Sequence, residues 1–156
     1  RHKDAPTTEQ ILLMLLPRWT GCEPVTRQLP FTWWAFAGGH AAFLSATLPG
    51  VVAAFDFYGA GISRMRPGGG DPSLALLPEI QGRLTCVFGT ADPLIPAEDR
   101  QAIGAALHEV DPVGERFRSV EFGGADHGFM CEARSSFNPQ ASAQGWRLLL
   151  GDDLVV

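Results

Sequence analysis

Arg83-Leu84-Thr85-Cys86-Val87-Phe88 runs straight into Gly89-Thr90-Ala91-Asp92-Pro93-Leu94-Ile95-Pro96, and Ala97 to Val110 follows with helix-forming composition. A run of β-formers, a loop stiffened by two prolines and a helix make one strand–loop–helix unit. The pattern extends in both directions. Downstream, Arg116 to Phe122 is a strand candidate, and Gly123-Gly124-Ala125-Asp126-His127-Gly128-Phe129 is the loop after it. Asn138 and Pro139 then form an N-cap and first-turn pair for a last helix, Gln140 to Leu150, expected to turn Trp146 and Leu149 inward. Upstream, Phe31 to Phe36 and Val51 to Tyr58 are strand candidates, with Gly38-Gly39 and a helix from His40 to Thr47 between them. Arg66 to Pro72 is a glycine-rich loop, and Asp71-Pro72 starts a short helix through Leu77. Strands alternating with helices predict an α/β fold: a three-layer sandwich with a mostly parallel sheet.

The composition narrows what such a domain does. The 156 residues carry 12 Lys+Arg against 17 Asp+Glu, a formal charge of −5, which argues against a nucleic-acid partner. No apolar run approaches the roughly 18 residues of a membrane span; Ile11 to Leu16 is short and meets Pro17. The three cysteines, Cys22, Cys86 and Cys131, are widely spaced and without a CxxC pair. An odd count fits a reducing compartment, so a cytoplasmic location is the expectation. Residues 1–30 read as a helix, Thr7 to Trp19 with a Thr7/Gln10 capping box, followed by a proline-containing loop. Residues 31–156 hold the α/β domain.

In parallel α/β sheets the working residues stand in loops at the carboxyl ends of strands. Asp92 and His127 occupy two such loops. Taken singly, Asp92 could be a turn acid and His127 a solvated loop histidine. Together they follow two strand candidates in the order acid, then histidine, the second half of a hydrolase triad. The histidine of such a triad takes a proton from the nucleophile, and the carboxylate fixes its tautomer.

Gly38-Gly39-His40-Ala41-Ala42-Phe43-Leu44, Phe57-Tyr58-Gly59, the segment Phe88 to Pro96, Ala125-Asp126-His127-Gly128-Phe129 and Phe137-Asn138-Pro139 resemble the dienelactone hydrolases, a branch of the α/β-hydrolases. The resemblance covers about residues 34–150 and implies the C-terminal part of an α/β-hydrolase fold. It also implies hydrolysis of a small-molecule ester or lactone without a cofactor, by a Cys-His-Asp triad with Asp92 and His127 as acid and base; a metal site is not expected, because His40, His108 and His127 share no ligand spacing. By the same resemblance the backbone N–H of Ala37 is an oxyanion donor and Tyr58 lies near the site. Arg134 is a candidate for the pocket mouth, where it would attract a substrate carboxylate, against a surface role; Tyr58 could equally be a plain core-edge tyrosine.

One departure stands out. The family's nucleophile elbow has the form Gly-Phe-Cys-x-Gly-Gly, whereas this chain reads Trp34-Ala35-Phe36-Ala37-Gly38-Gly39. Phe36 stands at the nucleophile position and has no nucleophilic atom; Trp34 stands where a tight elbow needs glycine. Residues 1–33 do not resemble the family's first half. The expectation is therefore an impaired hydrolase; the alternative is an inactive family member, a binding module or a gene fragment, and a reading-frame change ahead of the elbow would give the same pattern. An incomplete sheet would leave an edge open to self-association. Of the remaining residues, His40 is expected on a helix surface, Asp126 as an exposed neighbour, and Cys86 as a buried, inert thiol. Cys131 and Cys22 are poor nucleophile candidates.

Overall fold

The computed structural model describes residues 31–34 and 36–150, with side chains from residue 38 onward. The helix expected at Thr7–Trp19, the loop after it and Cys22 lie outside the described residues. Four strands form one sheet: β1 (Phe31–Trp34), β2 (Ala53–Phe57), β3 (Arg83–Gly89) and β4 (Phe117–Phe122). They lie in sequence order, β1-β2-β3-β4, and every neighbouring pair is parallel. Parallel neighbours need crossovers. The three crossovers run through α1 (Phe36–Ala46), a 3-10 segment (Ser73–Glu79) and α2 (Ala97–Val110).

Each crossover steps one strand in the same direction, so the right-handed rule puts all three on one face. The packing agrees, since α1 and α2 both rest against the 3-10 segment. The last helix, α3 (Pro139–Leu150), covers the opposite face: a Cβ on its Gly145 would lie 2.8 Å from Met130 Sδ and 3.1 Å from Phe57 Cε1. Phe57 points away from α1 because it alternates with Asp56. The result is the expected α/β/α arrangement, with Phe43, Phe57, Leu84, Phe88, Ile103 and Phe129 buried between the layers.

The elements differ from the sequence expectation where small residues carry the packing. Helix α1 begins at Phe36 and runs through Gly38-Gly39, which had read as a break before a helix at His40. Gly39 belongs inside the helix because a Cβ there would sit 2.5 Å from Gly59 Cα; the pair lets α1 close on the end of β2. His40 is not on the helix surface: it is fully buried, and its Nδ1 lies 2.8 Å from Ser73 Oγ. Trp146 is half exposed, not inward, because α3 presents Ala141, Ser142 and Gly145 to the sheet. Helix α2 has the expected bounds, set by Pro96 at its start. Asn138 caps α3 as expected, its Oδ1 accepting the N–H groups of Gln140 (3.1 Å) and Ala141 (3.0 Å).

Candidate active site

Parallel strands end on one side of the sheet, so the segments following β1, β2, β3 and β4 gather along a single rim. The β3 and β4 loops are fastened to each other there. Thr90 N–H donates to Phe122 O (3.0 Å), Ala91 N–H to Ala125 O (3.0 Å), and Gly124 N–H to Thr90 Oγ1 (2.8 Å). Gly89 is required at this crossing, since a Cβ would run into the Ala125 carbonyl oxygen. Gly124 and Gly128, with φ of 69° and 76°, bend the second loop around His127, in a region that favours glycine.

The two fastened loops bring Asp92 and His127 together. Asp92 is 3% exposed, and its Oδ2 lies 2.8 Å from His127 Nδ1. Its other oxygen, Oδ1, accepts the Leu94 N–H at 2.8 Å, which fixes the carboxylate plane. A carboxylate only accepts, so Nδ1 carries the proton and the neutral ring keeps its lone pair on Nε2. Nε2 has no hydrogen-bond partner among the described residues. The backbone of His127 is held as well: its N–H donates to Asp126 Oδ1 (2.6 Å) and its carbonyl accepts from Ser136 Oγ (2.8 Å). Asp126, expected only as an exposed neighbour, thus shapes the turn.

Tyr58 joins this pair. It follows β2 with φ 46°, an unusual backbone for a non-glycine residue, while its N–H donates to Val87 O at 2.8 Å. Its ring centroid lies 5.3 Å from that of His127 and 5.0 Å from Phe129, edge to face with the latter. Burial pushes the phenol well above its ordinary range; Cys131 adds to that and Arg134 works against it. Arg134 folds over the histidine loop, with Nη1 2.9 Å from where a Gly128 Cβ would stand. The side chains of Phe36 and Ala37 lie outside the description, but their backbone opens α1 one residue beyond β1, and Trp34 pairs with Phe57. The first N–H groups of α1, that of Ala37 among them, therefore stand at the same rim. Such groups lack intrahelical acceptors and favour developing negative charge.

The sequence reading missed the buried Asp56. It is fully buried beneath the Gly39–Gly59 crossing and pairs in register with Cys86. Neither carboxyl oxygen has a well-formed hydrogen bond among the described residues. Burial raises its pKa to about 7, only partly countered by the adjacent Gly59 N–H and Cys86 thiol. The signal was available: an acid interrupts the otherwise apolar Ala53-Ala54-Phe55-Asp56-Phe57. Cys86 is buried as expected, and its thiol is pushed well above its usual value by burial first and by Asp56 second.

A parallel sheet with an acid–histidine pair at its carboxyl rim, and a helix opening at that rim after β1, defines the α/β-hydrolase class. Within that class, the family model for the "Dienelactone hydrolase family" matches residues 36–151, and the chain belongs to that family. A Synechocystis sp. protein named "Putative carboxymethylenebutenolidase" is 41% identical over 110 residues, spanning 70% of this chain and 44% of its own. The fold is shared with a Klebsiella pneumoniae protein named "Putative Dienelactone Hydrolase": TM-score 0.68, 21% identity, 77% of this chain and 49% of the other. Thermogutta terrifontis esterase 2, solved after phosphorylation by paraoxon, aligns with TM-score 0.51 and 25% identity over 76% of this chain and 51% of its own. The chain thus spans about half the length of each of these relatives.

Proposed function

We propose that this chain carries the acid and base of a carboxylic ester hydrolase of the dienelactone hydrolase type, acting on ester or lactone bonds of small molecules. The observation that supports the reading best is the 2.8 Å contact of Asp92 Oδ2 with His127 Nδ1, which leaves Nε2 to act as base. In the complete reaction His127 would take a proton from the attacking group while Asp92 holds the ring and stabilises the imidazolium. The Ala37 N–H would meet the developing oxyanion. Phe36 gives this chain no attacking side-chain atom at the elbow. Its own chemistry is therefore limited to water activated at Nε2, and turnover is slow. The same residue favours a second reading, a family member that binds substrate without turning it over.

Hydrolysis of p-nitrophenyl acetate by the full chain separates the two. The hydrolase reading expects a weak rate that falls to the buffer background in His127→Ala. A rate equal in the two chains contradicts it.

A further inference from the structure

The carboxyl rim also holds a cavity that the acid–base pair does not occupy. It measures about 350 Å³ and is lined by Ala60, Gly61, Arg64, Met65 and Leu94. That volume falls within the roughly 300–1,000 Å³ of small-molecule sites. A larger cavity of about 440 Å³ lies at the opposite end of the sheet, bounded by residues just before β2, β3 and β4, and so stands a strand length from the chemistry. Two loops tie the lining of the smaller cavity to the candidate site. Leu94 N–H donates to Asp92 Oδ1 while the same carboxylate holds His127 through Oδ2. One group therefore positions both the histidine and a cavity wall. On the other wall, Ala60 and Gly61 closely follow Tyr58, whose ring packs on His127.

The lining has a distinct chemistry. Met65 and Leu94 are 44% and 51% exposed, two large apolar side chains bordering one cavity. Arg64 is the only cation among the described residues of the lining, and its Nη2 stands 2.6 Å from Asp99 Oδ2. Ser63 Oγ donates to the other oxygen of Asp99 at 3.2 Å, so the acid is held in place. An incoming carboxylate would compete with Asp99 for Arg64, whereas an uncharged chain leaves the ion pair intact. Methionine's flexible thioether adapts to chains of different shape.

We infer that the cavity between Met65 and Leu94 receives the uncharged alkyl part of an ester whose carbonyl lies at His127. The inference rests on the hydrolase reading above and adds to it the class of group bound. An alkyl chain entering here gains by displacing water from Met65 and Leu94, and an anionic acyl group gains nothing from the neutralised Arg64.

The test is a titration of the full chain, labelled with ¹³C-methyl methionine, with butyl acetate as the neutral probe and butyrate as the anionic one. The Met65 methyl resonance is expected to shift saturably with butyl acetate and not with butyrate. Leu94→Ala, at a half-exposed position, should weaken the response by roughly tenfold, and Leu94→Met should restore it. A Met65 signal that stays silent, follows butyrate equally or ignores Leu94→Ala overturns the inference. Saturable binding at Met65 without any His127-dependent hydrolysis contradicts only the hydrolase reading. His127-dependent hydrolysis with a silent Met65 contradicts only the cavity assignment.

Discussion

Gly89 and Ala125 meet so closely that no side chain fits between the end of β3 and the Ala125 carbonyl. This contact sets the separation of the loops that carry Asp92 and His127, because Ala91 N–H is bonded to the same carbonyl. Gly89→Ala forces a Cβ against backbone that cannot rotate away. The expected cost is about 1–3 kcal/mol, the usual range for overpacking. Urea unfolding measures it, and an unchanged midpoint would show that the loops are not clamped here.

Asp56 makes stability depend on pH. Its folded-state pKa, about 7, is raised above the ordinary carboxyl value, with burial as the cause. The native state therefore holds a proton that the unfolded chain releases near pH 4. Its contribution is fully present below about pH 4 and declines as pH rises through about 7, a span on the order of 4 kcal/mol. Cys86, the titratable side chain beside it, stays protonated across this range because its own pKa is raised. Asp56→Asn should flatten this part of the profile. Denaturation at pH 5 and pH 8 tests it: the wild-type chain should lose more stability than the variant over that interval, and equal losses would contradict the account.

Asn138 supplies the cap of α3, accepting two backbone N–H groups through Oδ1. Asn138→Ala should cost about 1 kcal/mol and Asn138→Asp much less, because aspartate caps in the same way. Thermal unfolding of the two variants checks the order, and equal losses would mean that the cap carries no weight.

The parts of the fold legible in the sequence are those governed by local rules. Pro96 sets the start of α2, Asn138-Pro139 the start of α3, and the β-rich runs give β2, β3 and β4 to within a few residues. Asp92 and His127 were legible because each follows a strand of a parallel sheet, in the acid-then-histidine order read along the chain. What was not legible depends on contacts between segments far apart in the chain. Gly38-Gly39 reads locally as a break, yet the close approach to Gly59 places it inside α1. His40 has the polarity of a surface residue, yet Ser73 receives it in the core. Trp146 has the character of a core residue, yet the small face of α3 takes its place at the sheet.

The central claim is that the imidazole of His127 is placed to serve the elbow position, which Phe36 occupies in this chain. Chemical labelling tests it directly. In the chain carrying Trp34→Gly and Phe36→Cys, the thiol introduced at position 36 should be activated by the neighbouring imidazole and the N-terminus of α1. The account predicts that this thiol reacts with iodoacetamide near neutral pH faster than Cys131, which is partly buried, and faster than Cys86, which is fully buried. It also predicts that adding His127→Ala removes the advantage. A thiol at position 36 that labels no faster than Cys131, or keeps its rate without His127, would mean that the histidine does not serve the elbow.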